Sequence, residues 1–274
     1  MEKLRLLRAA VSAAACLLVA AGTVSAAEKV VLEGSTTVLP IAQKTAEVFM
    51  DKNSDIDISV RGGGSGVGIA SLLDGSCDIA DSSRAMKDTE YEKAAAKKKD
   101  PKPCVVAMDG IAIVVNNSNN IAALTKKQVK DIYTGAISDW SAVGGPAGKI
   151  VVVSRDSSSG TYEAFGELVL KGAKVRPDAL MQASNQAIAS IVAKTPSGIG
   201  YVGLGYITDS VKALEIDGVM PDKGTVLSGK YPVSRPLFMY TNGSPKGAVK
   251  KYIDFVTGPE GQRIVDEEGF VALK

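Results

Sequence analysis

Apolar and polar residues alternate over Ile56-Asp57-Ile58-Ser59-Val60-Arg61, a period of two that predicts a strand with one face buried. Ahead of it, Ile41, Ala42, Thr45, Val48 and Phe49 recur at helical spacing, with Pro40 tolerated in the first turn. The pattern predicts a strand over 30–33, a helix, the strand at 56–60, a helix over Val67 to Leu73 and a strand over 78–80. Consecutive βα units of this kind imply a largely parallel sheet.

Glu92 to Lys102, rich in lysine and alanine and ending at Pro101 and Pro103, reads as a solvated helix and turn. Cys104 to Val115 reads as an apolar strand interrupted at Asp109-Gly110, and Asn116 to Asn120 as a polar breaker where the chain leaves the first domain. A second α/β unit follows. It has a helix over Lys126 to Tyr133, a strand over Lys149 to Val153, a helix carrying Tyr162, Phe165, Leu168 and Val169 on one face, and a helix over Asn185 to Ala193. The apolar segment Ile199 to Tyr206 is the expected return, and a strand over Arg235 to Tyr240 and a helix over Pro245 to Phe255 close the first domain. The expected division is 28–115 plus 204–274 for one lobe and an inserted 116–203 for the other. Two crossings make hinged lobes with a cleft, the place where open α/β sheets take ligands.

Residues 1–27 are set apart from this pattern. Lys3, Arg5 and Arg8 precede the apolar Ala9 to Ala21, and Ser25-Ala26-Ala27 is a small-residue cleavage site, the layout of a secretory signal. A lipid anchor at Cys16 is the competing reading, disfavoured because the apolar run continues past the cysteine and no leucine stands where such a motif needs it. Of 32 basic and 30 acidic residues, the signal holds three basic and one acidic, so the remainder is neutral. That removes the electrostatic motive for nucleic-acid or membrane-surface binding. Export places Cys77 and Cys104 where a disulfide is sustainable, and two free thiols fit equally well. There is no histidine, which excludes imidazole metal ligands and His-based catalysis.

Three loops carry the candidate chemistry: Glu33-Gly34-Ser35-Thr36-Thr37-Val38, Arg61-Gly62-Gly63-Gly64-Ser65-Gly66 and Arg155-Asp156-Ser157-Ser158-Ser159-Gly160-Thr161. Each lies at or just before the start of a predicted helix, where unpaired N–H groups and a partial positive charge favour an anion. Glycine allows close backbone approach and hydroxyls add donors. Two other glycine-rich stretches are decoys. Gly224 to Lys230 nearly matches a nucleotide phosphate loop but is followed by Tyr231 and Pro232, and Gly198 to Gly203 matches a dinucleotide fingerprint without a helix after it.

On these loops, and on Asp78-Ile79 with Ser82-Ser83-Arg84, Ile132-Tyr133-Thr134-Gly135 with Trp140 and Gly144-Gly145, Ile199-Gly200-Tyr201 and Gly258-Pro259-Glu260-Gly261, the chain resembles the periplasmic phosphate-binding proteins of phosphate-specific ABC importers. The resemblance spans nearly all of the chain after the signal. It implies a two-lobed type II periplasmic-binding-protein fold, each lobe a mixed, largely parallel sheet flanked by helices, and a periplasmic monomer with no cofactor or metal. Such a protein binds inorganic phosphate and hands it to a membrane permease with a cytoplasmic ATPase. Anion contacts are implied from Ser35, Thr36, Thr37, the Val38 N–H, Ser65, Ser83, Arg155, Ser159, Gly160 and Thr161, with Gly64, Asp81, Ser82, Arg84 and Ser158 as secondary candidates. Where the family has an aspartate accepting the proton of hydrogen phosphate, this chain has Ser83, and Asp81, two residues earlier on the same strand face, is the candidate acceptor. The alternatives are a protein for sulfate, molybdate or arsenate, and an exported phosphatase or esterase.

Overall fold

The computed structural model describes residues 27–273; the signal segment and Cys16 lie outside the described residues, apart from Ala27. Eleven strands are present among them: β1 (Glu28–Gly34), β2 (Ile56–Gly62), β3 (Ile79–Ser82), β4 (Pro101–Asn116), β5 (Ala123–Leu124), β6 (Val151–Arg155), β7 (Leu180–Gln182), β8 (Gly198–Gly203), β9 (Val211–Ala213), β10 (Glu215–Ile216) and β11 (Ser234–Asn242). The α-helices are α1 (Leu39–Lys52), α2 (Ser65–Asp74), α3 (Asp88–Ala96), α4 (Lys126–Thr134), α5 (Gly160–Phe165), α6 (Asn185–Lys194), α7 (Lys223–Leu227), α8 (Gly247–Thr257) and α9 (Pro259–Glu267).

One mixed sheet runs in the order β2-β1-β3-β11-β4-β8-β6-β7, with β9 also paired to β4. The predicted βα units give the parallel pairs β1 with β2 and with β3, and β6 with β7 and with β8. β11 enters antiparallel between β3 and β4. β4 is the spine: its first part pairs with β11 as far as Gly110, and from Ile111 onward it pairs with β8 and β9. Asp109-Gly110, expected as an interruption, is continuous strand. The carboxylate of Asp109 is satisfied within the sheet, and a Cβ at Gly110 would lie 2.9 Å from Val226 and 3.2 Å from Tyr231, so Gly110 fits where a larger residue would not. Pro101 and Pro103, expected to end a helix, begin this strand instead.

The apolar residues separate into cores on either side of this junction. Val30, Leu32, Ile41, Phe49, Val106, Leu237, Tyr252 and Phe270 fill the first lobe. Ile113, Val129, Trp140, Val152, Phe165, Tyr201, Val226 and Val233 fill the second. α1 shows how the pattern produces this packing: Ile41, Ala42, Thr45, Ala46 and Phe49 form its buried stripe. Each large apolar side chain so buried contributes about 1.5–3 kcal/mol relative to exposure.

Within 204–233, expected with the first lobe, several residues join the second core, while Gly205 and Tyr206 lie against Phe270 and the first core. β9 pairs with Val114 to Asn116, β10 pairs with β5, and Leu204, Val226, Tyr231 and Val233 join the second core. From Ser234, β11 runs back into the first lobe's sheet beside β3. These strands are two or three residues long, too short for a period of two to register. α9, not anticipated as a helix, begins at Pro259, the first-turn position where proline's missing N–H costs nothing.

Cys77 and Cys104 are free thiols. The sheet separates them. Ile79 and Ala80, neighbours on β3, point into different cores; Cys77 lies in the core on the Ala80 side and Cys104 packs on the Ile79 side. Burial pushes the Cys77 thiol up to about 12.

Candidate anion site between the lobes

The three glycine-rich loops converge. Gly34 ends β1 at φ 144°, in the region that favours glycine, with its backbone against the carbonyl of Asp81. The Ser35 N–H donates to that carbonyl at 2.8 Å, which pins the first loop to β3. The Ser35 hydroxyl is turned into the loop, where it accepts from the N–H of Thr37 at 3.1 Å and of Val38 at 3.4 Å. It braces the turn that leads into α1.

The second and third loops touch directly. The Gly66 N–H donates to the Ser158 carbonyl at 3.0 Å, and the Ser158 hydroxyl, which donates to Asp156 Oδ1 at 2.6 Å, lies 3.2 Å from the Gly63 carbonyl. Gly64, at φ 98°, leaves no space for a side chain: a Cβ there would lie 2.6 Å from Ser158 Oγ. Gly160 is packed as tightly, its hypothetical Cβ 2.3 Å from Ser65 Oγ and 2.7 Å from Ser83 Oγ. Ser65 in turn accepts from the Ser83 N–H at 3.0 Å. The first and third loops meet through Thr37 Oγ1 and Thr161 Oγ1, 2.8 Å apart. Ser159 caps α5, accepting from the Tyr162 N–H.

Arg155 ends β6 at 1% exposure. Its Nε donates to the Gln182 carbonyl at 3.1 Å and Nη2 to the Ala183 carbonyl at 2.8 Å, while Nη1 is buried with no protein partner. Two of its three nitrogens are thus used to hold the side chain still. The Tyr201 hydroxyl, which accepts from the Arg155 N–H at 3.1 Å, fixes the backbone, and Tyr201 itself stacks on Phe165 with ring centroids 4.1 Å apart. Burial lowers the pKa of Arg155, and the nearby charge of Arg235 acts in the same direction.

Arg235, Asp109 and Asn185 were not anticipated. Arg235 is 5% exposed and pairs with Asp109 through Nη2 at 2.9 Å and Nε at 3.1 Å. Its Nη1 donates to the Ser83 carbonyl at 3.0 Å, and Nη2 also reaches Thr161 Oγ1 at 3.0 Å and Thr37 Oγ1 at 3.4 Å. Asn185 Nδ2 lies 3.0 Å from Thr37 Oγ1 and 3.2 Å from Thr36 Oγ1. The site therefore gathers two buried guanidiniums and a ring of hydroxyls around the helix starts of both lobes. Within it, Asp109 offsets one of the two positive charges.

Three secondary candidates stand apart. The Ser82 hydroxyl donates to the Arg84 carbonyl. Arg84 points outward to a bidentate pair with Glu90, both contacts at 2.7 Å, and to Glu163 of the other lobe. Asp81 is fully buried with both carboxylate oxygens unpartnered, and desolvation raises its pKa well above the ordinary carboxylate range. Its charge bears on Tyr252, on the sheet face under α1 and α8. Among the described residues no cluster of three or more His, Cys, Asp or Glu has the arrangement of a metal site, and no helix is long and apolar enough to cross a membrane.

A cleft between two α/β lobes, with loops from both closing on a buried, donor-rich centre, is the layout of a solute-binding protein. Residues 19–260 match the PBP superfamily domain. The phosphate-binding protein PstS of Bacillus subtilis (strain 168) is 34% identical over 256 residues, covering 93% of this chain and 84% of that protein. PstS of Borreliella burgdorferi is 34% identical over 260 residues, covering 90% and 91%. A crystal structure of a putative phosphate ABC transporter substrate-binding protein from Clostridium perfringens, with bound phosphate, superposes with a TM-score of 0.85 at 35% identity, covering 90% of this chain and all of that one. An ABC-type phosphate transport receptor from Vibrio cholerae gives 0.74 at 31% identity, over 89% of this chain and all of that one. The chain belongs to the PstS family of phosphate-binding proteins, within the PBP superfamily, and has its type II fold.

Proposed function

We propose that the protein captures inorganic phosphate in the cleft and delivers it, unaltered, to an ABC importer. The observation that carries this reading is Arg155: a guanidinium locked by two backbone carbonyls, with a buried Nη1 that no protein atom satisfies. Such a nitrogen is stabilised by an oxyanion and costly without one. Thr161, Gly160 and Ser159 from the same loop, the α1 start, and Ser65 with Ser83 supply donors from the remaining directions, while Thr37 holds the Thr161 hydroxyl in place. Thr36 and Ser35 shape the first loop and Gly64 with Ser158 bring the loops together. The relatives named as phosphate-binding proteins support phosphate as the anion.

In this reading the anion docks on the first lobe and the cleft closes, bringing the Arg155 loop over it. Closure removes water, which strengthens each charge-assisted bond. The closed protein, a monomer exported to the periplasm by its signal, then docks on the permease, whose cytoplasmic ATPase powers release. Titration calorimetry on the dialysed protein with phosphate, arsenate, sulfate and molybdate tests the proposal. Phosphate binding in the micromolar range or tighter, with sulfate at least a hundredfold weaker, is expected. Preference for sulfate or molybdate would overturn phosphate as the substrate and leave an oxyanion receptor, and turnover of a chromogenic phosphate ester would overturn the non-enzymatic reading.

A further inference from the structure

Arg235 and Asn185 make a fixed proton arrangement out of two hydroxyls. Guanidinium nitrogens can only donate, and so can the Nδ2 of Asn185, whose orientation is set because its Oδ1 accepts from the Gly203 N–H at 3.2 Å. Thr37 Oγ1 therefore receives from Asn185 at 3.0 Å and from Arg235 at 3.4 Å, and Thr161 Oγ1 receives from Arg235 at 3.0 Å. A hydroxyl has two lone pairs and one proton. Nη2 has two protons and Asp109 Oδ2 takes one, so the other is shared between Thr161 at 3.0 Å and Thr37 at 3.4 Å. The assignment that keeps every one of these contacts has Thr37 donating to Thr161 across 2.8 Å. Both lone pairs of Thr161 are then filled, and its own proton is left to be donated outward.

Arg235 is itself held in one place. It faces Asp109 directly across the β11–β4 pair, where Oδ2 accepts from Nε and Nη2 while Oδ1 accepts from the Leu204 N–H at 2.9 Å. Nη1 is tied to the Ser83 carbonyl. The group thus links the first lobe (Thr37, Ser83), the second (Thr161, Asn185) and the strands joining them.

We propose that Arg235, anchored by Asp109, is a positioning residue that makes the Thr161 hydroxyl an obligate donor into the cleft. That corner of the pocket then accepts only a deprotonated oxygen of the bound anion, and a protonated oxygen must sit elsewhere. The proposal rests on the phosphate reading above.

The test is a double-mutant cycle on phosphate affinity. Replacing Arg235 alone would strand the Asp109 charge, so the pair variant Asp109→Asn/Arg235→Gln is used, which removes both charges at similar volume. Thr161→Val is expected to weaken phosphate at least tenfold in the wild-type background. In the pair-variant background the same change is expected to cost less than threefold, because the hydroxyl there is free to reverse. A merely structural role for Arg235 predicts equal factors in both backgrounds, and that outcome overturns the proposal. Should the pair variant not fold, Asn185→Leu, which leaves the ion pair untouched and frees one lone pair of Thr37, takes its place with the same expected inequality. Wild-type protein that binds no oxyanion overturns the phosphate reading and this proposal together; binding with additive losses overturns this proposal alone.

Discussion

Glu163 of the second lobe lies between two cations of the first, with Lys87 Nζ 2.9 Å from its Oε1 and Arg84 against its Oε2. The contact sits two residues beyond Thr161 and joins the two lobes. Arg84 keeps its bidentate pair with Glu90 whichever way the lobes move, so its charge is compensated in either state. Glu163→Gln is expected to leave the pocket intact and weaken closure by about 1 kcal/mol, the scale of a partly exposed pair. Stopped-flow measurement should show phosphate dissociating about fivefold faster with little change in association; an unaltered off-rate would remove this contact from the closing mechanism.

Gly160 offers a steric test of the same closure. An added methyl would lie 2.3 Å from Ser65 Oγ and 2.9 Å from Ser65 Cβ, a clash that exists only when the two loops are together. Overpacking of this kind costs about 1–3 kcal/mol. Gly160→Ala should therefore lose about tenfold or more in phosphate affinity while the phosphate-free protein melts within a degree or two of wild type. Equal losses in melting temperature with and without ligand would mean that the loops stay together in the free protein.

Arg155→Ala removes the guanidinium whose Nη1 has no protein partner. The expected loss is about 2–5 kcal/mol of phosphate binding, the range for truncating one side of a buried charge pair. Retention of affinity within a factor of three would exclude Arg155 as an anion contact.

Asp81 carries a pH signature separate from the cleft. Its folded pKa is raised well above 3.8 by desolvation, so its contribution to stability is complete below about 3.8 and declines as pH rises toward the folded value. Asp81→Asn should consequently melt above wild type at pH 7 and converge with it near pH 4. The sign of the gap at pH 7 and its closing on acidification are the expected result. A gap that does not change with pH would show that the carboxyl is not titrating as a buried, unpartnered group.

The parts of the site that the sequence disclosed are those whose chemistry is local. Gly34 to Thr37, Gly64-Ser65 and Arg155 to Thr161 each combine glycine, hydroxyls and an adjacent helix pattern, and all three loops meet. Arg235 was hidden because it sits in a strand whose apolar alternation explains its neighbours, and its role depends on Asp109, 126 residues away. Asn185 looked like an ordinary residue at a helix start. Asp109-Gly110 carried a turn-like pair of letters, yet the strand continues through them because β11 on one side and the second lobe on the other satisfy it. Asp81 was expected to share a strand face with Ser83, but β3 ends at Ser82, and Asp81 lies on the face under α1, where its carboxylate makes no hydrogen bond.

The path of β4 and β11 also orders the making of the protein. Almost all of the second core comes from the continuous stretch Ile111 to Val233, with Val271 the one buried residue from outside it. The first lobe's sheet lacks its inner strand until Ser234–Asn242 has been made, since β11 lies between β3 and β4. Contacts across so long a separation form slowly. A chain emerging from the N-terminus can assemble the second lobe while the first still waits for its C-terminal third, so truncation before Ser234 should leave one lobe folded and the other open.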